Sequence, residues 1–286
     1  MQTPFNPSDV SAIVCTLNSI ASIQECLESI LDSKIGQLIV VDAHSTDGTR
    51  QIAEKYADIL IDDPGLGLGL ARNMGIQVSN GALVLNMGSD NVMPKGALVQ
   101  MIQDLVSHNA DGVSAQTHIQ AKSFIANGLN AWRQGRFRPG LINVIGTPTL
   151  FKGNLLRADP FDPTAVYSDD SELCERWIRK YGSKFAVSSA EVSEVGKTSW
   201  AEVKIRCHMY GISDHEVYTR GTKSGWSLRR RMKSVMHPAR SDLITPIAHL
   251  KPTTSLVNLP FLATFTTMRY FYWGQASRNS SASVES

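Results

Sequence analysis

The feature that most constrains this chain is a repeated alternation of two periodicities in its first 90 residues. Val10 to Leu17 (VSAIVCTL) and Gln37 to Asp42 (QLIVVD) are short, β-branched, almost wholly apolar runs. Such runs belong to strands buried on both faces, as in a parallel sheet covered by helices. Between them Ile20, Ile23, Leu27, Ile30 and Leu31 keep helical spacing, with Ser22 and Glu25 in the S-x-x-E pattern of a capping box. The alternation continues with a helix after Asp47-Gly48-Thr49, a strand at Ile59 to Ile61, a helix at Ala71 to Val78 and a strand at Ala82 to Met87. Strand and helix in strict turn predict an α/β layered domain with a mostly parallel central sheet.

Further along, Pro94 opens a helix with Leu98, Met101, Ile102 and Leu105 on its apolar face, and a strand follows at Gly112 to Thr117. Lys122 to Leu156, rich in Gly, Asn, Arg and Pro, reads as loops and short elements around a site. Leu173, Cys174, Trp177, Ile178 and Tyr181 define one more helix face. The Ser-rich residues from Gln275 to Ser286 have the composition of a disordered tail. Four cysteines at 15, 26, 174 and 207 form no C-x-x-C pair and no metal spacing, so reduced, buried thiols are expected. Met1 to Asn6 has neither a basic nor an apolar segment of a signal peptide, which predicts a protein that is not exported.

In parallel α/β sheets ligands sit beyond the carboxyl ends of the strands. The polar residues there are Thr16 and Asn18 after the first strand, Asp42 at the end of the second, and Gly88-Ser89-Asp90-Asn91 after Leu83-Val84-Leu85. Each alone could be a turn or cap residue. In order, though, the chain reads strand, T-L-N, helix, VVD, S-T-D-G-T, helix, A-R-N-x-G-I, strand, x-S-D-N. Over Val10 to Asn91, and again over Asp162 to Gly182, this resembles the family-two glycosyltransferases of the GT-A fold.

That resemblance implies roles residue by residue. The aspartate matching Asp42 contacts the nucleobase, the residue matching Thr16 lies along it, and the arginine matching Arg72 lies near the diphosphate. With Asn18 and Ser89 these make up the expected nucleotide-sugar site. Asp90 matches the last aspartate of the D-x-D motif, which holds a divalent cation, Mn²⁺ or Mg²⁺, on the donor diphosphate. The first aspartate falls on Gly88, which can bind no metal; one carboxylate can still serve a hard cation that takes oxygens from the substrate. Tyr167-Ser168-Asp169-Asp170-Ser171-Glu172-Leu173 with Arg176 resembles the family's E-D-x-x-L-x-x-R segment, so Asp170 matches the catalytic base and Asp169 its acidic neighbour. The implied enzyme is an inverting transferase that moves a sugar from a nucleoside-diphosphate sugar to a hydroxyl acceptor. The alternatives are a non-catalytic nucleotide-sugar binder, suggested by Gly88, and a sugar-phosphate nucleotidyltransferase, which would want a Gly-rich basic loop where Cys15-Thr16-Leu17-Asn18-Ser19 stands.

The expected organisation is a catalytic domain over 1–200, with a nucleotide-sugar half (8–120) and an acceptor half (120–200), then a helical, amphipathic C-terminal extension over 201–274. Net charge is only +2, yet Arg220 to Ser241 holds seven Lys or Arg and no acid, leaving the remainder net acidic. Ser255 to Gly274 is apolar and aromatic but broken by Asn258, Pro260 and Arg269, so it falls short of a membrane span. Basic and aromatic stretches together suggest a peripheral place on the inner face of the cytoplasmic membrane and a polyprenyl-linked acceptor among the candidates. No recognition module for nucleic acid is present.

Overall fold

The computed structural model describes residues 4–164, 169–196 and 198–282. The chain divides into two units, one formed by Met1–His118 with Arg138–Val195, the other by Ile119–Phe137 with Gly196–Ser286. The catalytic domain read from the sequence as 1–200 therefore lends one internal segment, 119–137, to the C-terminal unit.

In the first unit the alternation becomes β1 (Val10–Thr16), α1 (Ile23–Asp32), β2 (Gln37–Asp42), α2 (Thr49–Tyr56), β3 (Ile59–Asp62), α3 (Leu68–Val78) and β4 (Leu83–Gly88). After these come β5 (Asn91–Val92), α4 (Ala97–Ser107) and β6 (Gly112–Ile119). The second unit's α5 (Phe124–Arg136) precedes β7 (Gly140–Ile142), β8 (Thr149–Lys152), α6 (Gly153–Ala158), α7 (Asp169–Tyr181) and β9 (Phe185–Glu194). The sheet has the order β3-β2-β1-β4-β8-β6-β9-β5, with β7 on β9. It is parallel across β3, β2, β1 and β4, as the apolar runs predict, and turns antiparallel where β8 pairs with β4 and β6.

Both faces are covered, which is why the strands read as continuous apolar runs. Val10, Ala12, Val14, Leu38, Val40, Leu83 and Leu85 pack with α1 and α4 on one face. Ile13, Ile39, Val41, Val84 and Phe151 pack with Ile76, Leu156, Leu173 and Trp177 on the other. The S-x-x-E box at α1 does not form. Ser22 occupies the N-cap with no side-chain cap hydrogen bond, because its backbone (φ −134°, ψ −22°) lacks the extended geometry a cap needs.

The second unit is helical: α5, α8 (Trp200–Lys223), α9 (Leu228–Val235), a π-helical segment Ala239–Ile244, α10 (Thr245–His249) and α11 (Pro252–Ala282). The expectation of loops over Lys122 to Leu156 misses α5. Its glycines are there for contact: a Cβ on Gly128 would lie 2.1 Å from the Phe261 ring, and one on Gly135 would lie 2.3 Å from Pro246. Ile125, Leu129, Trp132, Val203, Cys207, Phe261, Leu262 and Phe265 form this unit's core. The stretch from Ser255 to Gly274 is thus a core helix, with Phe261 and Phe265 fully buried. Truncating either to Ala would cost about 3–5 kcal/mol. Residues 275–282, whose composition suggested a disordered tail, continue α11, and 283–286 lie outside the described residues. Among the described residues no helix is long and apolar enough to cross a membrane. No cysteine is in a disulfide.

Candidate active site

Register brings the carboxyl ends of three strands to one edge: Thr16 lies opposite Asp42, and Cys15 opposite Gly88. The loops beyond β1 and β2 are tied to each other. Asn18, in the left-handed region at φ +49°, accepts from the Thr46 N–H (2.9 Å), while its own N–H donates to Ser45 Oγ (2.9 Å). Asp47 accepts from the N–H groups of Ile20 and Thr49 (3.0 Å each). The Thr49 hydroxyl on the same carboxylate holds Asp47 below the usual carboxylate range.

Within this frame Asp42 is fully buried. The Ser45 hydroxyl and N–H both donate to its carboxylate, and the Arg50 guanidinium lies 3.6 Å away. Thr16 is nine-tenths buried, and its hydroxyl has no hydrogen-bond partner. A buried hydroxyl left unsatisfied costs about 1–3 kcal/mol, so Thr16 Oγ1 marks a place that gains from a polar ligand. Arg50, on α2, escaped the sequence reading; its only signal is its position directly after S-T-D-G-T.

The turn after β4 carries Ser89, whose hydroxyl is 2.9 Å from that of Ser19, and Asp90, whose carbonyl accepts from the Val195 N–H (2.8 Å). Asn91 turns inward and accepts from the Gly88 N–H (3.3 Å). A Cβ at Gly88 would meet Asp90 Oδ1 and Asn91 Oδ1 at 2.9 Å each, so the Asp90 carboxylate leans toward the space a first D-x-D aspartate would use. Among the described residues no three His, Cys, Asp or Glu are grouped to hold a metal ion. The donor set here, one carboxylate beside hydroxyl and amide oxygens, fits a hard cation that draws its remaining ligands from a diphosphate and from water.

The third part of the site joins residues far apart in sequence. Arg72 on α3 is buried, and its guanidinium donates to Asp169 (2.6 Å) and Asp170 (3.0 Å) in the first turn of α7 and to the Thr147 hydroxyl before β8. Its planar face stands 5.0 Å from the centre of the Phe161 ring. Burial works against the Arg72 charge, yet Asp170 and Asp169 hold its pKa above the ordinary value. Asp170 responds oppositely. Burial pushes its carboxyl up to about 6, with Asp169 adding to the rise and Arg72 restraining it. Since 22% of the Asp170 side chain remains exposed, an incoming group can reach it. Burial likewise pushes the thiol of Cys15, at the end of β1, up to about 12, and it senses Arg72, Asp63 and Asp169. Arg72 is thus engaged by the acidic pair. Tyr167 and Ser168, which begin the acidic motif, lie outside the described residues. On the same face of the sheet, Asn86 and Thr149 stand opposite each other on β4 and β8, buried and without hydrogen-bond partners for their side chains.

Among solved structures, the chain is similar to the mannosyltransferase PcManGT of Pyrobaculum calidifontis in complex with GDP-Man and Mn²⁺. That likeness has a TM-score of 0.60 at 20% identity and covers 96% of this chain and 87% of that one. It is also similar to a Staphylococcus aureus TarS fragment in complex with UDP-GlcNAc (TM-score 0.53, 16% identity, 96% and 92% covered). At these identities the likeness is one of fold. Among curated proteins, it is 34% identical over 91 residues to the glycosyltransferase AglE of Haloferax volcanii, covering 28% of this chain and 30% of that protein. It is 32% identical over 111 residues to the poly(ribitol-phosphate) beta-N-acetylglucosaminyltransferase TarS of Staphylococcus aureus, covering 35% and 19%. Both matches span less than a third of the relative's length. The family model for glycosyl transferase family 2 matches residues 11–158. That span holds Thr16, Asp42, Arg72 and Asp90 and exceeds half of the chain, which therefore belongs to glycosyl transferase family 2.

Proposed function

We propose that this protein is an inverting glycosyltransferase that moves a sugar from a nucleoside-diphosphate sugar to an acceptor hydroxyl. The observation that carries the reading is the Asp170 carboxylate, partly exposed, 3.0 Å from Arg72, and raised by burial to about 6. A general base works best with a pKa near the operating pH, and this one is ionised at neutrality while keeping a real affinity for a proton. In the proposed step the acceptor O–H gives its proton to Asp170 while its oxygen bonds to the anomeric carbon. The bond from that carbon to the diphosphate oxygen breaks on the opposite face, which inverts the centre. Asp169 and Thr147 share Arg72 with Asp170 and so orient the base.

Thr16 and Asp42 form the proposed floor for the nucleobase. The two solved neighbours are complexes of a uridine and a guanosine nucleotide. Both bases present a ring N–H, which a carboxylate at Asp42 can accept once Ser45 gives way, while Thr16 gains the partner it lacks. Arg72, Asn18 and Ser89 line the way to the diphosphate. Asp90 would hold a divalent cation, which when bound offsets the charge gathering on the departing nucleoside diphosphate. We extend the proposal to a peripheral position on the cytoplasmic face of a membrane and a polyprenyl-linked acceptor, supported by the acid-free basic stretch Arg220 to Ser241.

Labelled UDP-, GDP- and dTDP-sugars, assayed with Mn²⁺ or Mg²⁺ and a hydroxyl acceptor, test the reading. Nucleoside diphosphate released together with sugar transfer supports it. Release of pyrophosphate would instead indicate a nucleotidyltransferase, and binding without turnover a nucleotide-sugar binder.

A further inference from the structure

We infer that α9 is a docking element for an anionic lipid surface, an inference that rests on the peripheral position proposed above and assigns it to one helix. A helix on the surface of a folded unit normally buries one apolar stripe. This one does not: α9 contains no buried residue. Leu228, Met232 and Val235, with Met236 at the C-cap, recur at i, i+4, i+7 and i+8 and so share an arc of about 100° on one side of the helix. They are exposed by 74%, 61%, 39% and 52%. The apolar side of an amphipathic helix is thus left facing solvent.

The helix is also held in a fixed orientation. Trp226 packs on α8, where a Cβ at Gly221 would lie 2.2 Å from the indole. The Arg231 guanidinium donates to the Trp226 carbonyl (3.1 Å), and that of Arg230 stands 4.8 Å from the indole centre. Arg231 and Ser234 are accordingly the less exposed side. Arg229 and Lys233 border the apolar arc on one flank and Arg231 on the other. Arg220, Lys223 and Arg240 add exposed positive charge on either side of the helix in sequence, with no acid between Arg220 and Ser241.

This charge pattern selects the occupant. A second copy of the chain would bring Arg229 and Lys233 against their own like charges. A nucleic acid would satisfy the basic residues but leave four apolar side chains in water. A bilayer carrying anionic headgroups satisfies both, since the apolar arc enters the boundary between headgroups and chains while the flanking cations stay at the phosphates. The buried aromatics of α11 take no part.

The test is co-sedimentation of the full chain with vesicles of phosphatidylcholine alone or with 30% phosphatidylglycerol. The same samples are also assayed for donor turnover on a soluble hydroxyl acceptor. Wild type should bind only the anionic vesicles, and raising NaCl from 0.1 M to 0.5 M should weaken binding roughly tenfold as screening shortens. Leu228→Glu with Met232→Glu should lower partitioning by at least about tenfold. Arg229→Gln with Lys233→Gln should lower it by about 25-fold, at roughly fivefold per basic residue. All four side chains are exposed, so unchanged circular dichroism and melting temperature are expected, as is unchanged turnover on the soluble acceptor. Wild type indifferent to anionic vesicles, variants that bind as wild type does, or an effect of these variants confined to oligonucleotide binding would each overturn the docking role. Vesicle binding in the expected pattern by a protein that turns over no donor would uphold docking and remove the transferase reading instead.

Discussion

Each unit of this protein buries one arginine against two aspartates, and the two clusters differ in how completely they are neutralised. In the helical unit Arg269 donates twice to Asp214 (2.6 and 2.8 Å) and once to Asp242 (2.7 Å). Asp242 is fully buried and also accepts from Ser241, Trp132 and Arg136. Burial works against the Arg269 charge, yet Asp242 and Asp214 hold its pKa above the ordinary value. Two cations meet two anions, and every strong acceptor is used. In the sheet unit one cation, Arg72, meets two anions, and the surplus falls on Asp170, whose carboxyl rises to about 6. Both clusters bury charge, but the sheet unit's cluster leaves one charge over beside an open side, at the residue proposed as the base.

If that contrast is right, Asp170→Asn should lower transfer by roughly 10²–10⁴-fold, the usual contribution of a general base, while donor affinity persists. Asp169→Asn should cost less; a reversed ranking in steady-state kinetics would move the base to Asp169. Arg269→Met should act on the fold instead, since removing one partner of a buried pair costs about 3–5 kcal/mol. Urea unfolding would show a lowered midpoint, and the pH profile of the surviving activity should match wild type. Because the base must be ionised, activity should be lost as pH falls through about 6, dropping roughly tenfold between pH 7 and pH 5. Arg72→Gln removes the positive charge that restrains Asp170, so this acid limb should move to higher pH by about one to three pH units. The same change at Arg269 should leave the limb in place. The smallest expected effects lie at the β4 turn. Chelation or Asp90→Asn should weaken donor binding roughly tenfold by calorimetry. Gly88→Asp, whose Cβ would press on the side-chain oxygens of Asp90 and Asn91 at 2.9 Å each, should strengthen metal-assisted binding once those side chains give way.

The parallel half of the sheet was legible because strands covered on both faces leave no choice but continuous apolar runs. The helical unit was less legible. Gly128 and Gly135 in α5 look like loop residues, and only the Phe261 ring and Pro246 against them explain their size. Likewise an apolar run such as that around Phe261 and Phe265 does not say what covers it; here Trp132, Leu129 and Val203 do, which leaves α9 alone, of the basic and aromatic stretches, as the proposed membrane contact. Two S-x-x-E patterns occur at helix starts, and only Ser199 with Glu202 forms the box, its N-cap backbone being extended at ψ 153°. In the site, Thr16, Asp42, Asp90 and Asp170 could be named from their order along the chain and the family it resembles. The chain brings Arg72 to Asp169 across 97 residues of sequence, and the surplus charge that results is a property of three dimensions only.

Asp170 is proposed as the base of a single displacement with inversion. Proton NMR of the product formed by wild type and by Asp170→Asn from one accepted donor tests it most directly. The expected product has the anomeric configuration opposite to the donor's, formed by wild type and almost absent with Asp170→Asn at equal donor occupancy. A product that retains the donor's configuration, or an Asp170→Asn enzyme turning over at the wild-type rate, would contradict it.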